Sequence, residues 1–245
     1  MTFTYAGYSE LLNLLQANGY SIANYHNWKE YMKCAIMRHD VDNDMNQALA
    51  MAQTEYEYNV KSTYFVLLTS NFYNLHSDRN RKILNEIQDM GHMIGLHFDE
   101  MAYPKDVGSV DKIVEDIERE LSILSEIIAT DISVFSYHRP TKEILDANIK
   151  IQGTLNSYGD MFFKEFKYLS DSRMNWREPI LDIIRRTTYD RMQILTHPFW
   201  YHKEEKSMKE VLENFILGAS MERYDDLDNN FTKLGEIADR RCVGS

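Results

Sequence analysis

Cysteine is scarce in this sequence: only Cys34 and Cys242 occur among 245 residues, and they form no C-x-x-C pair. We therefore expect no disulfide framework, and a reducing cytoplasm is the simplest setting. The N-terminal segment lacks a basic stretch followed by an apolar one, so we predict no signal peptide. The longest aliphatic run beside a strand is YFVLL (64–68). A membrane helix needs roughly 20 apolar residues, so we predict no membrane span and a cytoplasmic protein.

Positive charge is also scarce, because 27 Lys and Arg residues stand against 38 Asp and Glu residues, for a net charge of −11. A nucleic-acid groove needs a basic stripe, so we expect no nucleic-acid partner. Four prolines and ten glycines leave little room for a flexible linker. We predict a single domain over 1–245, with its motifs at about 34–200 and a C-terminal helical region at 203–245.

Neither GxGxxG nor GxxxxGK[ST] occurs, which disfavours a nucleotide-binding open sheet. Instead, apolar runs and helical periodicity alternate along the chain. This alternation predicts an α/β fold with a parallel sheet, as a barrel or a doubly wound sheet. The predicted strands are 34–42, 61–68, 92–98, 132–139, 166–170 and 192–199, and the predicted helices are 44–58, 81–90, 110–128, 141–149 and 179–188.

Polar side chains that could carry chemistry fall at the ends of four predicted strands. In α/β barrels and open α/β sheets, the C-terminal ends of the strands hold the active site. We therefore expect these side chains to converge on one site. They are Asp40 and Asp42, His97 and Asp99, His138 and Arg139, and His197.

Asp40 and Asp42 share a strand face, because side chains alternate along a strand. Two carboxylates this close cannot both ionise cheaply unless a cation or an arginine lies between them. Histidine and aspartate together are common ligands of Zn²⁺ and other first-row metals. The sequence therefore favours a metal site here. Nearby Asp44 is predicted to cap a helix, and His92 is predicted to be a structural hydrogen-bonding residue.

Four motifs in order resemble the polysaccharide deacetylases, which are carbohydrate esterase family 4 or the NodB-homology domain. They are RHDVD (38–42), GHMIGLH (91–97), HRP (138–140) and LTHPFW (195–200), and the resemblance covers about 34–200. The RHDVD form is similar to a branch linked to O-antigen and capsule biosynthesis. The resemblance implies a distorted (β/α) barrel of about seven parallel strands and a metal-dependent hydrolase that deacetylates an N-acetylated sugar.

The resemblance also implies roles for individual residues. Asp40 would be the general base, Asp42 and His97 metal ligands, His197 the general acid, and Asp171 the residue that orients His197. Aromatic side chains would bind the sugar, with Trp176 as a pocket wall and with Trp200 and Tyr201 beside His197. The expected cofactor is a divalent metal, with Zn²⁺ first. The expected partner is an N-acetylated sugar, a nucleotide-sugar or a lipid-linked glycan.

The sequence departs from the family pattern at the third metal ligand. The residue four positions after His97 is Met101, a poor ligand for a hard or borderline metal. Asp99, Glu100 and His138 are the candidates in its place, and we favour His138. Arg139 would then pair with a carboxylate such as Asp40 or Asp171. Alternatively, Arg139 takes the catalytic role of the family's arginine with a local shift of one residue.

Three functions fit this pattern: a deacetylase with an altered metal shell, a metal hydrolase of another amide or ester, and a barrel that binds sugar without turnover. The two aspartates with an acid on a separate strand favour turnover. A glycosidase could also use paired carboxylates, but these usually lie on different strands and need no metal. Inhibition by a chelator would separate it from a metal hydrolase.

Overall fold

Eight strands form one parallel sheet in the structure, a computed structural model that describes residues 1–240. The sheet path is β6-β5-β4-β3-β2-β8-β7, and β1 pairs with the first half of β2. The sheet curls into a half-barrel, so the predicted α/β fold, a distorted (β/α) barrel, is confirmed. The strands are β1 Ser21–Ala23, β2 Cys34–Val41, β3 Thr63–Val66, β4 Met93–Phe98, β5 Val134–Tyr137, β6 Leu155–Asn156, β7 Lys167–Ser170 and β8 Arg191–Thr196.

Helices connect most of these strands, as a parallel sheet requires. Each helix predicted from periodicity is present: 110–128 has the predicted bounds, and the other four have shifted ends. The elements α1, β1, β6 and α6 were not predicted. The helices are α1 Tyr5–Ala17, α2 Met45–Glu57, α3 Asp78–Asp89, α4 Val110–Ile128, α5 Lys142–Asp146, α6 Asp160–Lys164, α7 Ile180–Arg185, α8 Met208–Asn230 and α9 Leu234–Ile237.

Strand β2 is buried on both faces, and its side chains alternate between two cores. Ala35 and Met37 pack with the helices on the outer face of the sheet. Cys34 and Ile36 face the inside of the curl, where the aromatic rings of Tyr25, Trp28, Phe65, Phe162 and Phe166 fill the space. The same alternation sends Arg38 and Asp40 to the inner face. The inner face therefore changes from apolar to charged towards the end of β2.

Gly95 in β4 shows how tightly the inner face is packed. A Cβ atom at this position would lie 2.6 Å from the Phe65 ring. Real Cβ atoms do not approach a ring this closely. The glycine is therefore needed for β4 to pair with β3 at this position, where Gly95 lies opposite Phe65. His97 lies two residues later on the same face of β4. The close packing at Gly95 therefore also holds the strand that carries His97.

The chain divides into two compact units, residues 1–203 and residues from 204 onward. In the second unit, Ser207 and Glu210 form a capping box at the start of α8. The single domain over 1–245 stays a prediction. The end of the predicted helical region, 241–245, and Cys242 lie outside the described residues. Within residues 1–240, no helix is long and apolar enough to cross a membrane.

Candidate functional site

The polar residues predicted at the strand ends meet at one end of the half-barrel. Asp40 is in β2 and Asp42 directly follows it, His97 is in β4, and His138 and His197 follow β5 and β8. All of these strands are parallel. Their C-terminal ends therefore lie at the same edge, which we call the rim.

Asp42, His97 and His138 form a group whose ligand atoms all lie within 4.8 Å of one another. Asp42 Oδ1 lies 3.2 Å from His97 Nε2 and 3.3 Å from His138 Nδ1. Ligand atoms of a tetrahedral Zn²⁺ site are about 3.3–3.5 Å apart, given metal–ligand distances of about 2.0–2.2 Å. This buried oxygen also has no partner with hydrogen-bond geometry among residues 1–240. The three side chains therefore fit a divalent cation.

Asp42 and His138 shift each other's pKa. Burial raises the pKa of the Asp42 carboxyl, but its interactions with His138 and His97 outweigh burial and hold the pKa well below the usual range. Burial lowers the pKa of His138, and the same carboxylate outweighs it and raises that pKa. The Asp42 carboxylate therefore favours a positive charge beside it, either a proton on His138 or a cation.

Asp99 and Glu100, which the sequence also allows as the third ligand, already have partners. Asp99 forms an ion pair with Arg139 and accepts a hydrogen bond from the Met101 amide. Glu100 is buried and accepts from the Thr141 amide at 2.6 Å and from the Gly108 amide at 2.8 Å. His138 is thus the candidate that the structure brings to Asp42 and His97.

Arg38, directly below the rim, forms a bidentate ion pair with Asp40. Its Nε and Nη2 atoms donate to the two Asp40 oxygens, both at 2.8 Å. The guanidinium also lies against the Phe65 and Tyr158 rings, 5.1 and 4.7 Å from their centroids. Burial raises the pKa of Asp40, but Arg38 and His97 outweigh burial and lower it. Asp40 is therefore ionised at neutral pH.

This pairing corrects the prediction for Arg139. Arg139 does pair with a carboxylate, as expected, but its partner is Asp99 and neither of the two examples that we named, and Arg38 occupies the Asp40 carboxylate. The physical reason is register: Arg38 shares a strand face with Asp40, whereas Arg139 follows β5 at the surface, with its side chain 58% exposed.

His197 lies across the rim from His138, with Nε2 3.8 Å from Asp42 Oδ2. Its Nδ1 lies 2.6 Å from Asp171 Oδ1, and Asp171 also accepts from the His197 backbone amide at 3.1 Å. Burial lowers the pKa of His197, but the Asp171 charge outweighs burial and raises the pKa to about 9. His197 therefore carries a proton at neutral pH, and the predicted contact with Asp171 is confirmed.

His97 has a similar contact with a different partner. Its Nδ1 lies 2.6 Å from Ser136 Oγ in β5, and β4 and β5 pair with His97 opposite Ser136. The prediction from sequence missed Ser136. The alternation in ISVFSYHR could have indicated it, because Ser136 shares a strand face with His138.

The predicted sugar-binding aromatics have different surroundings. Trp176 and Trp200 are half-buried, and within residues 1–240 neither buried indole N–H has a hydrogen-bond partner. Tyr201 is fully buried and packs against Phe3 and Tyr8, with ring centroids 5.5 and 5.6 Å away. This placement corrects the prediction for Tyr201, since a ring in the core offers no face to a sugar.

Two neighbouring residues have the structural roles that the sequence predicts. Asp44 caps α2, accepting from the amides of Asn46 at 2.8 Å and Gln47 at 3.3 Å. His92 is buried on the outer side of the sheet, where Nε2 contacts the Ala52 carbonyl at 3.1 Å. Both predictions are confirmed, and neither residue belongs to the rim.

Comparison with known proteins supports the fold. No family model and no curated protein matches the sequence. The structure is similar to that of a Streptococcus mutans CE4 esterase, with a TM-score of 0.50, 19% identity, and coverage of 89% of this chain and 92% of the other.

Two further structures have lower TM-scores. One is the catalytic domain of a peptidoglycan N-acetylglucosamine deacetylase from Eubacterium rectale, with a TM-score of 0.48, 18% identity, and coverage of 83% of this chain and 89% of the other. The second is a family 4 acetyl xylan esterase from Clostridium thermocellum in complex with cobalt, with a TM-score of 0.46, 16% identity, and coverage of 74% and 81%.

Proposed function

We propose that this chain is a metal-dependent hydrolase that removes the acetyl group from an N-acetylated sugar or sugar precursor. The observation that carries the proposal is the rim itself. A three-residue cation site lies between an ionised carboxylate, Asp40, and a protonated imidazole, His197. Hydrolysis of an amide needs these three functions close together: an electrophile, a base and an acid.

Asp42, His97 and His138 would hold the cation, with Zn²⁺ as the first candidate because the set contains two imidazoles and one carboxylate. When bound, the cation would polarise the amide carbonyl and lower the pKa of a water molecule. The fit of these residues supports this proposal.

Asp40 would accept the proton of the attacking water. Its ion pair with Arg38 keeps it ionised and fixes both of its oxygens, and Oδ2 lies 3.4 Å from His97 Nε2, beside the cation site. An ionised carboxylate is ready to accept a proton throughout the neutral range.

His197 would donate a proton to the leaving nitrogen. An amine is a poor leaving group unless it is protonated, so an amide hydrolase gains from an acid opposite its base. The Asp171 carboxylate holds the proton on the ring and fixes the ring orientation. This acid distinguishes the proposal from a barrel that only binds sugar.

Trp176 and Trp200 would contact the sugar. Both are half-buried, and both indole N–H groups lack a partner among residues 1–240. An indole combines an apolar face with a hydrogen-bond donor, which suits a sugar ring. The role in surface polysaccharide biosynthesis is the part of the proposal that rests on the RHDVD resemblance alone.

Metal content tests the proposal first. We expect purified chain loaded with Zn²⁺ or Co²⁺ to hold about one ion, and Asp42→Ala or His97→Ala to release it. The matched control is Asp44→Asn, which alters a carboxylate two residues from Asp42 that caps a helix outside the rim. Elemental analysis that finds no metal in loaded wild type would overturn the proposal.

Acetate release tests the base. We expect wild type to release acetate from a panel of N-acetylated sugars and nucleotide-sugars, and a chelator to stop it. Asp40→Asn should keep the metal while activity falls by about 10²–10⁴-fold, the usual contribution of a general base. Acetate release that survives this change would exclude Asp40 as the base.

A hydrolase acting on an ester is the second candidate, because the lowered pKa of Asp40 makes it a weaker base and an ester is cleaved more readily than an amide. An alkoxide leaves without prior protonation more readily than an amine does, so an ester would depend less on His197. Comparing His197→Ala on an O-acetylated and an N-acetylated sugar separates the two. A loss confined to the N-acetylated substrate supports the deacetylase.

A further inference from the structure

Ser136 lies beside His97, in the neighbouring strand β5. It is fully buried in β5, and its Oγ is 2.6 Å from His97 Nδ1. The other ring nitrogen, Nε2, points to the carboxylates, 3.2 Å from Asp42 Oδ1 and 3.4 Å from Asp40 Oδ2. The two nitrogens of His97 therefore have separate partners on opposite sides of the ring.

The chemistry of imidazole connects the two sides. A neutral imidazole binds a cation through the lone pair of one nitrogen, and its proton then resides on the other nitrogen. If Nε2 is the ligand atom, Nδ1–H needs an acceptor. Ser136 Oγ is placed to accept this hydrogen bond, which would fix both the tautomer and the rotation of the ring.

The strand pairing makes this contact rigid. His97 and Ser136 are directly opposite each other in the β4–β5 pair. Both side chains are almost fully buried. The strand register fixes the spacing of the two residues, and burial restricts rotation of both side chains.

We propose that Ser136 is a positioning residue for the metal site: it orients His97 and selects the tautomer that presents Nε2 to the cation. The inference rests on the proposed function, since it assumes that His97 is a ligand. It adds a residue outside the ligand group, one that touches neither the cation nor the substrate.

The comparison with His197 explains why the partner is a serine. Both rings have an oxygen 2.6 Å from Nδ1. At His197 the oxygen belongs to the Asp171 carboxylate, whose negative charge holds a proton on the ring. A serine hydroxyl is neutral, so it can orient a ring without adding a charge that favours the imidazolium form. A general acid needs a proton to donate, whereas the nitrogen that binds a metal must carry none. The Asp171 carboxylate suits the first role, at His197, and the neutral Ser136 hydroxyl suits the second, at His97.

The test uses the full chain with Co²⁺ as the probe. We expect Ser136→Ala to weaken Co²⁺ affinity by about 10–100-fold, the usual effect of losing such an outer hydrogen bond. Ser136→Thr keeps the hydroxyl and should recover most of the affinity. Because the His97 ring loses its fixed orientation, the visible absorption of bound Co²⁺ should change in Ser136→Ala and return towards wild type in Ser136→Thr.

Ser62→Ala is the matched control. Ser62 is also buried, but its hydroxyl contacts Glu55 and His92 on the outer side of the sheet. We expect this variant to lose stability while its Co²⁺ affinity and spectrum stay as in wild type. Thermal unfolding without metal shows whether each variant is folded.

The outcomes separate the two proposals. If wild type takes up no Co²⁺, the proposed function fails and this inference fails with it. If wild type binds Co²⁺ and folded Ser136→Ala binds it with the same affinity and spectrum, the proposed function stands and Ser136 has no positioning role. An equal loss of affinity in Ser62→Ala would also overturn the inference, because the effect would then be general loosening.

Discussion

Strand β2 contributes to two polar clusters that differ in how well their atoms are satisfied. On the inner face, at the rim, Asp42 Oδ1 is buried and lies 3.2 and 3.3 Å from two imidazole nitrogens, but no contact among the described residues has hydrogen-bond geometry. On the outer face, His39 contacts the buried carboxylate of Glu55 at 2.9 Å. Glu55 also accepts from the hydroxyls of Tyr8, Ser62 and Tyr64, at 2.6, 2.5 and 2.7 Å.

This difference helps to separate structure from function. A buried carboxylate with a full set of donors stabilises the fold, because its desolvation is offset by hydrogen bonds. A buried carboxylate oxygen that faces two imidazoles without hydrogen-bond geometry leaves a place for a cation. Sequence pattern alone does not distinguish the two clusters, since both consist of acids and histidines.

The most direct test of this difference between the two clusters is to remove one carboxylate from each. Glu55→Gln should lower the free energy of unfolding by about 3–5 kcal/mol, because it leaves buried donors and His39 without their anion. Metal content per folded chain should not change. Asp42→Asn should lose the metal and affect the stability of the metal-free protein less, because its side chain is 20% exposed. Denaturant unfolding and elemental analysis measure both quantities.

The opposite pattern would contradict the distinction between the clusters. A stable Glu55→Gln variant that loses metal would mean that the outer cluster supports the site and not the fold. His39 Nδ1 contacts Thr196 Oγ1 at 2.6 Å, and Thr196 directly precedes His197. The outer cluster is therefore linked to the rim through these residues. Metal content therefore has to be measured on both variants.

Acid sharpens the same comparison. Burial raises the pKa of Glu55, but His39 and the other donors outweigh burial and lower the pKa from 4.5 to about 2. A carboxyl whose pKa is lower in the folded state stabilises the fold above its unfolded pKa, and this stabilisation is lost as the pH falls through the folded pKa. The linked stability is about 3 kcal/mol. The difference in unfolding free energy between wild type and Glu55→Gln should therefore narrow as the pH falls from about 4.5 to 2.

Within the rim, the alkaline limit of activity should depend on Asp171. With a pKa of about 9, His197 keeps its proton at pH 8, and proposed acid catalysis should fall only as the pH rises through 9. Asp171→Asn removes the charge that raises this pKa, so the limit should move towards 6.5, the ordinary value. At pH 8 the loss should be about 30-fold, and at pH 6 it should be much smaller. If activity falls at the same alkaline pH in Asp171→Asn as in wild type, a group other than His197 sets the alkaline limit.

The sequence predicted the fold and most of the rim for the same reason: strand alternation is local. The run from Cys34 to Val41 and the histidines after β5 and β8 can be placed without knowing the tertiary structure. The partner of Arg139 could not, because it depends on how the turn after β5 meets Asp99. Nor could the burial of Tyr201, since its contacts, Phe3 and Tyr8, come from an N-terminal segment with no predicted elements.

The smallest expected effect concerns Asp44. It is the third aspartate after Arg38 and, unlike Asp40 and Asp42, it does not belong to the rim. It caps α2 through the amides of Asn46 and Gln47. Asp44→Ala should lower the free energy of unfolding by about 1 kcal/mol, the usual cost of losing a helix cap, whereas Asp44→Ser should restore most of it. Metal content should be unchanged in both variants, because the cap orients the start of α2 and Asp44 is not one of the three residues of the cation group. A loss of metal in Asp44→Ala with recovery in Asp44→Ser would instead show that the cap holds Asp42 in place, two residues before it.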